Sequence, residues 1–277
     1  VVELFGTSRV LIEHHKGITG YGSEQIYVKV SFGKVQISGH DLQIIKMTAD
    51  QLVIGGVIAA MALGYKFHYA RNVAAFTGSF DGNGKTITVN ITATSDYAGI
   101  FAAIGEGATV SNFKIVDSSV TTTEKISYMG LVAGSCAGTI SNVVVENGTV
   151  QGYALLGGIA GFLDTTGTVT ACAVESGKIE KTVTYGSDSY YGGIVGHNKG
   201  TVSLCSNGAT IDNTSGSASA GYFSGITGLN MGTIIDCYNF GTVDASTTKS
   251  YRVAGIAGQN ENAIENCHNY GTVTSNA

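Results

Sequence analysis

The passages GGIVGHNKGTVSLCSNGATI (192–211), SGITGLNMGTIIDCYNFGTV (224–243) and AGIAGQNENAIENCHNYGTV (254–273) can be laid over one another, and looser copies begin at Gly99, Gly130 and Gly158. This internal repeat restricts the fold more than any other feature of the chain. Stacking the copies gives columns of like residues. One column is Phe113, Val143, Cys172, Cys205, Cys237, Cys267, at steps of 30, 29, 33, 32 and 30 residues. A second is Val110, Ile140, Val169, Val202, Ile234, Ile264, and a third is Val120, Val150, Ile179, Ile211, Val243, Val273. Units of this length bury their apolar faces only against their neighbours, which makes a solenoid.

The local pattern gives its type. Apolar residues come in short β-rich runs broken by Gly, Asn, Ser or Thr, with no run at helical spacing. In VSNFKIV (110–116) both Val110 and Phe113 read as core, although one straight strand cannot bury residues three apart. A corner at Asn112 resolves this, because Asn tolerates the left-handed conformation. The equivalent column reads Asn112, Asn142, Ala171, Leu204, Asp236, Asn266. Three short strands and tight corners per unit predict an all-β fold, a right-handed parallel β-helix of about six coils of roughly 30 residues over 76–277. The 40 Gly and absence of Pro fit strands that are nearly all internal. The stacked Phe113, Val143, Cys172, Cys205, Cys237 and Cys267 are expected to form one apolar file, with Cys filling it as a small hydrophobe.

The first 58 residues lack the repeat. Ile26, Val28 and Val30 alternate with polar residues, as do Val35 and Ile37, the half-buried strand pattern. Residues 1–62 carry five basic and five acidic side chains, so the net charge of −5 falls on the remainder. The organisation expected is an all-β module at 1–58, a connector or cap with some helical character at 59–75, and the solenoid.

The repeats resemble the GLUG motif of bacterial surface proteins through Gly130-Leu131, Gly158-Ile159, Gly193-Ile194, Gly225-Ile226 and Gly255-Ile256, and through FTGSFDGNGKTITVNI (76–91) ahead of them. That resemblance implies a stalk or display surface rather than a catalytic site. The segment 2–58 is similar to YabP/YqfC-like sporulation proteins, in Arg9–Glu13 with His15–Ile18, in Gly33–Leu42 and in Met47–Ile58. It implies a non-enzymatic module of spore-envelope assembly, although the fused solenoid departs from that small family.

Chemical motifs are few. His14, His15, His40, His68, His197 and His268 show no HExxH or CxxC context and read as surface or turn residues, with His14 and His15 on opposite faces of one strand. DGNG (81–84) reads as a turn because it lacks the calcium-loop register. Asp96, Asp117, Asp164, Asp188, Asp212 and Asp244 are expected to be dispersed, with no column of acids beside a base. No catalytic residue, cofactor or metal is expected, and net negative charge without basic–aromatic patches argues against nucleic acid. No apolar run is long enough for membrane insertion and no signal peptide is visible. Tyr128, Tyr153, Tyr185, Tyr190, Tyr191, Tyr222 and Tyr251 are candidates for a binding or contact strip.

The sequence therefore predicts a structural or adhesive surface protein that forms homo-oligomers or filaments through its N-terminal module and solenoid ends. Its expected place is outside the cell or on the cell or spore surface, with the mother-cell cytoplasm during assembly. Expected partners are copies of itself, glycans or other envelope proteins. A monomeric carbohydrate-binding adhesin stalk and a polysaccharide-degrading β-helix enzyme are the alternatives.

Overall fold

The computed structural model describes residues 2–5, 8–30, 33–64, 75–182, 189–213, 221–246 and 252–275. Among these every regular element is a strand. The module contains β1 (Val2–Phe5), β2 (Arg9–Glu13), β3 (Ile18–Tyr21), β4 (Gln25–Val30), β5 (Gly33–Met47) and β6 (Gln51–Gly64), in one antiparallel sheet of order β1-β2-β6-β5-β4-β3. The long β5–β6 hairpin bends where Gly56 takes φ 136, a conformation open to Gly. Its register shifts between Ser38 and Gly39 and again between His40 and Gln43. Val10, Ile12, Leu52 and Ile54 on the paired strands β2 and β6, and Ile26, Val28, Val35 and Ile37 on the paired strands β4 and β5, are all fully buried.

Residues 59–64, expected in a connector with helical character, continue β6 as strand. The reason is pairing: β5 is 15 residues long, and its first half takes Ala60–Gly64 as its partner. Residues 65–74 of the expected connector, with His68, lie outside the described residues. The two adjacent histidines also differ from expectation. β2 ends at Glu13, His14 is left-handed at φ 56, and His15 is buried in the following loop. There His15 Nε2 lies 2.9 Å from the Thr48 carbonyl, and its Nδ1 accepts from Gly17 N–H at 3.2 Å.

From β7 (Ser79–Ile87) onward all pairing is parallel and each strand meets the equivalent strand one repeat away. This is a parallel β-solenoid of about six turns. One six-stranded sheet runs from Phe101–Ile104 to Ala257–Asn260, a second from Tyr97–Ala98 to Arg252–Ala254, and a sixteen-stranded sheet makes the rest. β1 and β6 approach β7, so the module sits against the first rung.

All six corner positions are left-handed: Asn112, Asn142, Ala171, Leu204, Asp236 and Asn266 have φ between 50 and 61. Asn142 donates to Asn112 Oδ1 at 2.8 Å and Asn112 to Asp81 Oδ1 at 3.1 Å, so the first corners form an amide ladder. Ala171 and Leu204 hold the strained conformation without that return. Leu204 is 61% exposed at φ 54, and Leu204→Asn should therefore stabilise the fold by about 1 kcal/mol, read as a raised thermal midpoint.

Candidate functional site

The outward surface of a solenoid is a set of files, each contributed by one position of every coil. Two of these files face each other. Tyr97, Tyr128, Leu155, Tyr190, Tyr222 and Arg252 lie in register on one sheet, and Ser135, Phe162, His197, Leu229 and Gln259 on the next. Glycine allows the close approach between the two sheets: a Cβ on Gly196 would collide with the Gly161 carbonyl and with the Leu155–Leu156 backbone. The files form a furrow in which Tyr128 meets Phe162 edge-on at 5.9 Å and Tyr190 meets His197 at 5.6 Å. Along the axis Tyr97 stacks on Tyr128 at 4.5 Å and Tyr190 on Tyr222 at 4.9 Å. Arg252 lies over the Tyr222 ring at 4.8 Å and Lys199 over Phe162 at 5.6 Å. Burial, helped by Lys199, pushes the His197 imidazole down to about 4, and burial pushes the Tyr97 phenol up.

Of the seven tyrosines expected on a contact strip, Tyr128, Tyr190 and Tyr222 share this file, Tyr222 being largely covered. Tyr191 and Tyr153 do not belong there. Tyr191 is fully buried, stacks on Phe223 at 4.6 Å and donates its hydroxyl to the Tyr153 carbonyl. Consecutive strand residues point to opposite faces, so Tyr190 and Tyr191 cannot both line one surface. Tyr185 and Tyr251 lie outside the described residues.

Inside, Phe113 pairs with Val143, and Cys172, Cys205 and Cys237 are buried while Cys267 is half-buried. All five cysteines are free thiols. Each column thiol donates to the carbonyl two residues before it, at 3.1–3.3 Å. Neighbouring thiols and burial push Cys205 and Cys237 up, burial pushes Cys267 up, and burial raises Cys136 to about 12. A thiol reagent at pH 8 should therefore label Cys267 first in the native protein, and all five cysteines only in urea. Early labelling of Cys205 or Cys237 would contradict the closed file.

Two buried asparagine ladders escaped the sequence reading. Asn198 donates to Asn230 Oδ1 and Asn230 to Asn260 Oδ1, both at 2.7 Å. Asn207 donates to Asn239 Oδ1 at 2.8 Å and Asn239 to Asn269 Oδ1 at 2.7 Å. Their signal was present as two Asn columns nine residues apart in the three clearest repeats.

The acids are a correction. Glu180, Asp212 and Asp244 stand in one register file, with Lys178 at 3.0 Å from Glu180 and 2.5 Å from Asp212. The column was present in the sequence, because Glu180, Asp212 and Asp244 each follow a member of the inward column Ile179, Ile211, Val243. Burial would lower the Lys178 ammonium, but its bonds to Asp212 and Glu180 prevail and raise it. Lys181 beside it is fully buried, which lowers its ammonium to about 8. Among the described residues no group of three or more His, Cys, Asp or Glu side chains is placed to hold a metal ion. No described helix is long and apolar enough to cross a membrane.

Part of the chain is 37% identical over 90 residues to halomucin of Haloquadratum walsbyi, a match covering 31% of this chain and 1% of that protein. A solved structure of an immunoglobulin A1 protease candidate from Bacteroides ovatus aligns with TM-score 0.44 and 18% identity, covering 72% of this chain and 61% of the other. A structure named IgA1 protease aligns with TM-score 0.37 and 15% identity, covering 99% and 29%. Likeness at those scores carries no argument about activity. Residues 1–67 match the model of the YabP family.

Proposed function

We propose that this chain is a non-enzymatic structural or adhesive surface protein, a component of a spore or cell-envelope assembly that self-associates through its N-terminal module and the outer end of its solenoid. The observation that carries this reading is the parallel solenoid that follows an N-terminal module matching the YabP family, and the surface of its outermost described coil shows how such a solenoid could extend. Val253, Ile256, Ala257, Ile264, Cys267 and Val273 prolong columns that are buried one coil below, yet here they are half-buried or exposed. Asn260 donates only to the Asn262 carbonyl and Asn269 only to that of Gly271. The second N–H, which Asn230 and Asn239 give to the next rung, meets none among the described residues. Beside them Tyr238 stacks on His268 at 5.6 Å and Phe240 on Tyr270 at 5.3 Å, with Tyr270 65% exposed. Open strand edges next to apolar surface are templates for further strands, whether of another coil or of another chain.

The YabP match over 1–67, the halomucin match and the GLUG resemblance support a place on a spore or cell surface. Partners in this reading are copies of the chain, with glycans or other envelope proteins beyond them. Light scattering and electron microscopy at micromolar concentration should find oligomers or filaments, and Ile264→Lys should shorten them. Monomers at every concentration would remove self-association.

A second reading, a polysaccharide-degrading solenoid, is favoured by the Glu180–Asp212–Asp244 file beside Lys178. Release of reducing ends or unsaturated sugars by the native chain, lost in Asp212→Asn, would replace the first reading with this one.

A further inference from the structure

One outward face repeats itself more strictly than the fold requires. Ser79, Thr109, Thr139, Thr168, Thr201 and Thr233 stand in continuous register across six rungs. Two residues further along the same strands, Ser111, Ser141, Thr170 and Ser203 make a second file. Between the files Val110, Ile140, Val169, Val202 and Ile234 point inward and are fully buried, so the hydroxyls point outward. Every residue of both files is half-buried or exposed. Parallel pairing spaces the rungs by about 4.8 Å and the two files by about 6.7 Å, which makes a flat lattice of hydroxyls.

The first file carries no ionisable side chain; the second meets Asp81 on the rung of Ser79 and Ile235 on the rung of Thr233, and over the four rungs between it is uncharged too, whereas other outward positions hold Lys114 with Glu146, or Lys178 with Asp212. Nor does strand structure alone demand the repetition. The outward column past the corner runs Lys114, Val144, Ala173, Ser206, Tyr238, His268, with no chemistry in common.

We propose that this hydroxyl lattice binds a neutral, extended glycan lying along the solenoid axis. The inference rests on the surface-protein reading above and supplies its ligand. Over those four rungs the uncharged face leaves no charge to desolvate against a neutral partner. Each Ser or Thr hydroxyl both donates and accepts, as sugar hydroxyls do. Contacts within the lattice already show this versatility: Ser79 and Thr109 share a bond at 2.7 Å, and Ser203 donates to Thr170 at 2.9 Å. The β-branched threonines have few χ1 states, so little rotamer freedom is lost on binding. An extended β-linked pyranose chain advances by about one rung per sugar, so a periodic face meets a periodic ligand. The tyrosine furrow is the poorer glycan site, because Tyr97 and Tyr128, like Tyr190 and Tyr222, spend their ring faces on each other.

The test is retention on microcrystalline cellulose and on chitin, with dextran and polygalacturonate as coiled and charged controls. The native chain should bind the two β-linked neutral polymers saturably. The triple variant Thr139→Val, Thr168→Val, Thr201→Val keeps branching and volume at half-buried positions. It should hold its thermal midpoint and lose affinity at least roughly tenfold, since three hydrogen-bonding hydroxyls are removed. No retention of the native chain on either polymer would overturn the proposal. So would undiminished retention of the triple variant, equal retention on polygalacturonate, or loss of binding in Tyr128→Ala with Tyr190→Ala. Shaping of ice crystals without glycan retention would also overturn it, assigning the lattice to ordered water. Light scattering separates the two readings: oligomers without glycan binding sink the glycan face alone, and glycan binding by a strict monomer sinks the assembly alone.

Discussion

Asn239→Ala is expected to cost about 3–5 kcal/mol of folding stability, among the largest losses from a single polar side chain in this protein. Asn239 is fully buried and makes four bonds. It accepts from Asn207 Nδ2 at 2.8 Å and from Gly241 N–H at 3.2 Å. It donates to the Gly241 carbonyl at 2.9 Å and to Asn269 Oδ1 at 2.7 Å. Truncation strands the Gly241 carbonyl and one Asn207 amide hydrogen away from water, each costing about 1–3 kcal/mol, and adds a small cavity. Gly241 N–H is partly spared, since it also reaches the Asn207 carbonyl at 3.1 Å. Asn269→Ala, at the exposed end of the same ladder, should cost no more than about 1 kcal/mol, because water satisfies what is left. Urea unfolding of both variants measures the contrast. Equal losses would mean that the ladder contributes nothing through its burial.

Tyr191→Ala should cost about 3–5 kcal/mol, while Tyr190→Ala should stay within about 1 kcal/mol. Adjacent residues of one three-residue strand thus differ severalfold. Tyr191 fills the interior against Phe223 and satisfies its hydroxyl on the Tyr153 carbonyl. Removing it opens a ring-sized cavity and leaves that carbonyl without its side-chain donor. Tyr190 lies outside, half-exposed, on Tyr222 and His197. A contact surface that uses tyrosine must therefore use the Tyr190 file. Thermal unfolding of the two variants decides the point, and a reversed order would place the strand the other way round.

Much of the architecture was legible because a solenoid writes its core as columns. A position buried in one coil is buried in the next, so Val110, Ile140, Val169 and Val202 announce themselves without coordinates. The corner column was legible for a second reason: Asn112 and Asn142 mark a conformation that few residues tolerate, and Ala171 and Leu204 adopt it through register alone. The furrow was not legible, since its partners Tyr190 and His197 belong to different sheets brought together by the turn between them. The acid file was legible but needed a partner to give it meaning: Glu180, Asp212 and Asp244 each follow the inward Ile179, Ile211 and Val243, and only the structure brings Lys178 onto the first two.

The sequence by itself determined the coil, its period, its corners and its inward columns, because each depends on a residue and its copy about 30 positions away. Only the tertiary structure decided which outward files face one another, which of two adjacent tyrosines is wet, and where Lys178 finds its carboxylates. Those outcomes depend on the angle between sheets and on strand phase, and both are set by closure of the whole coil rather than by any local run of residues.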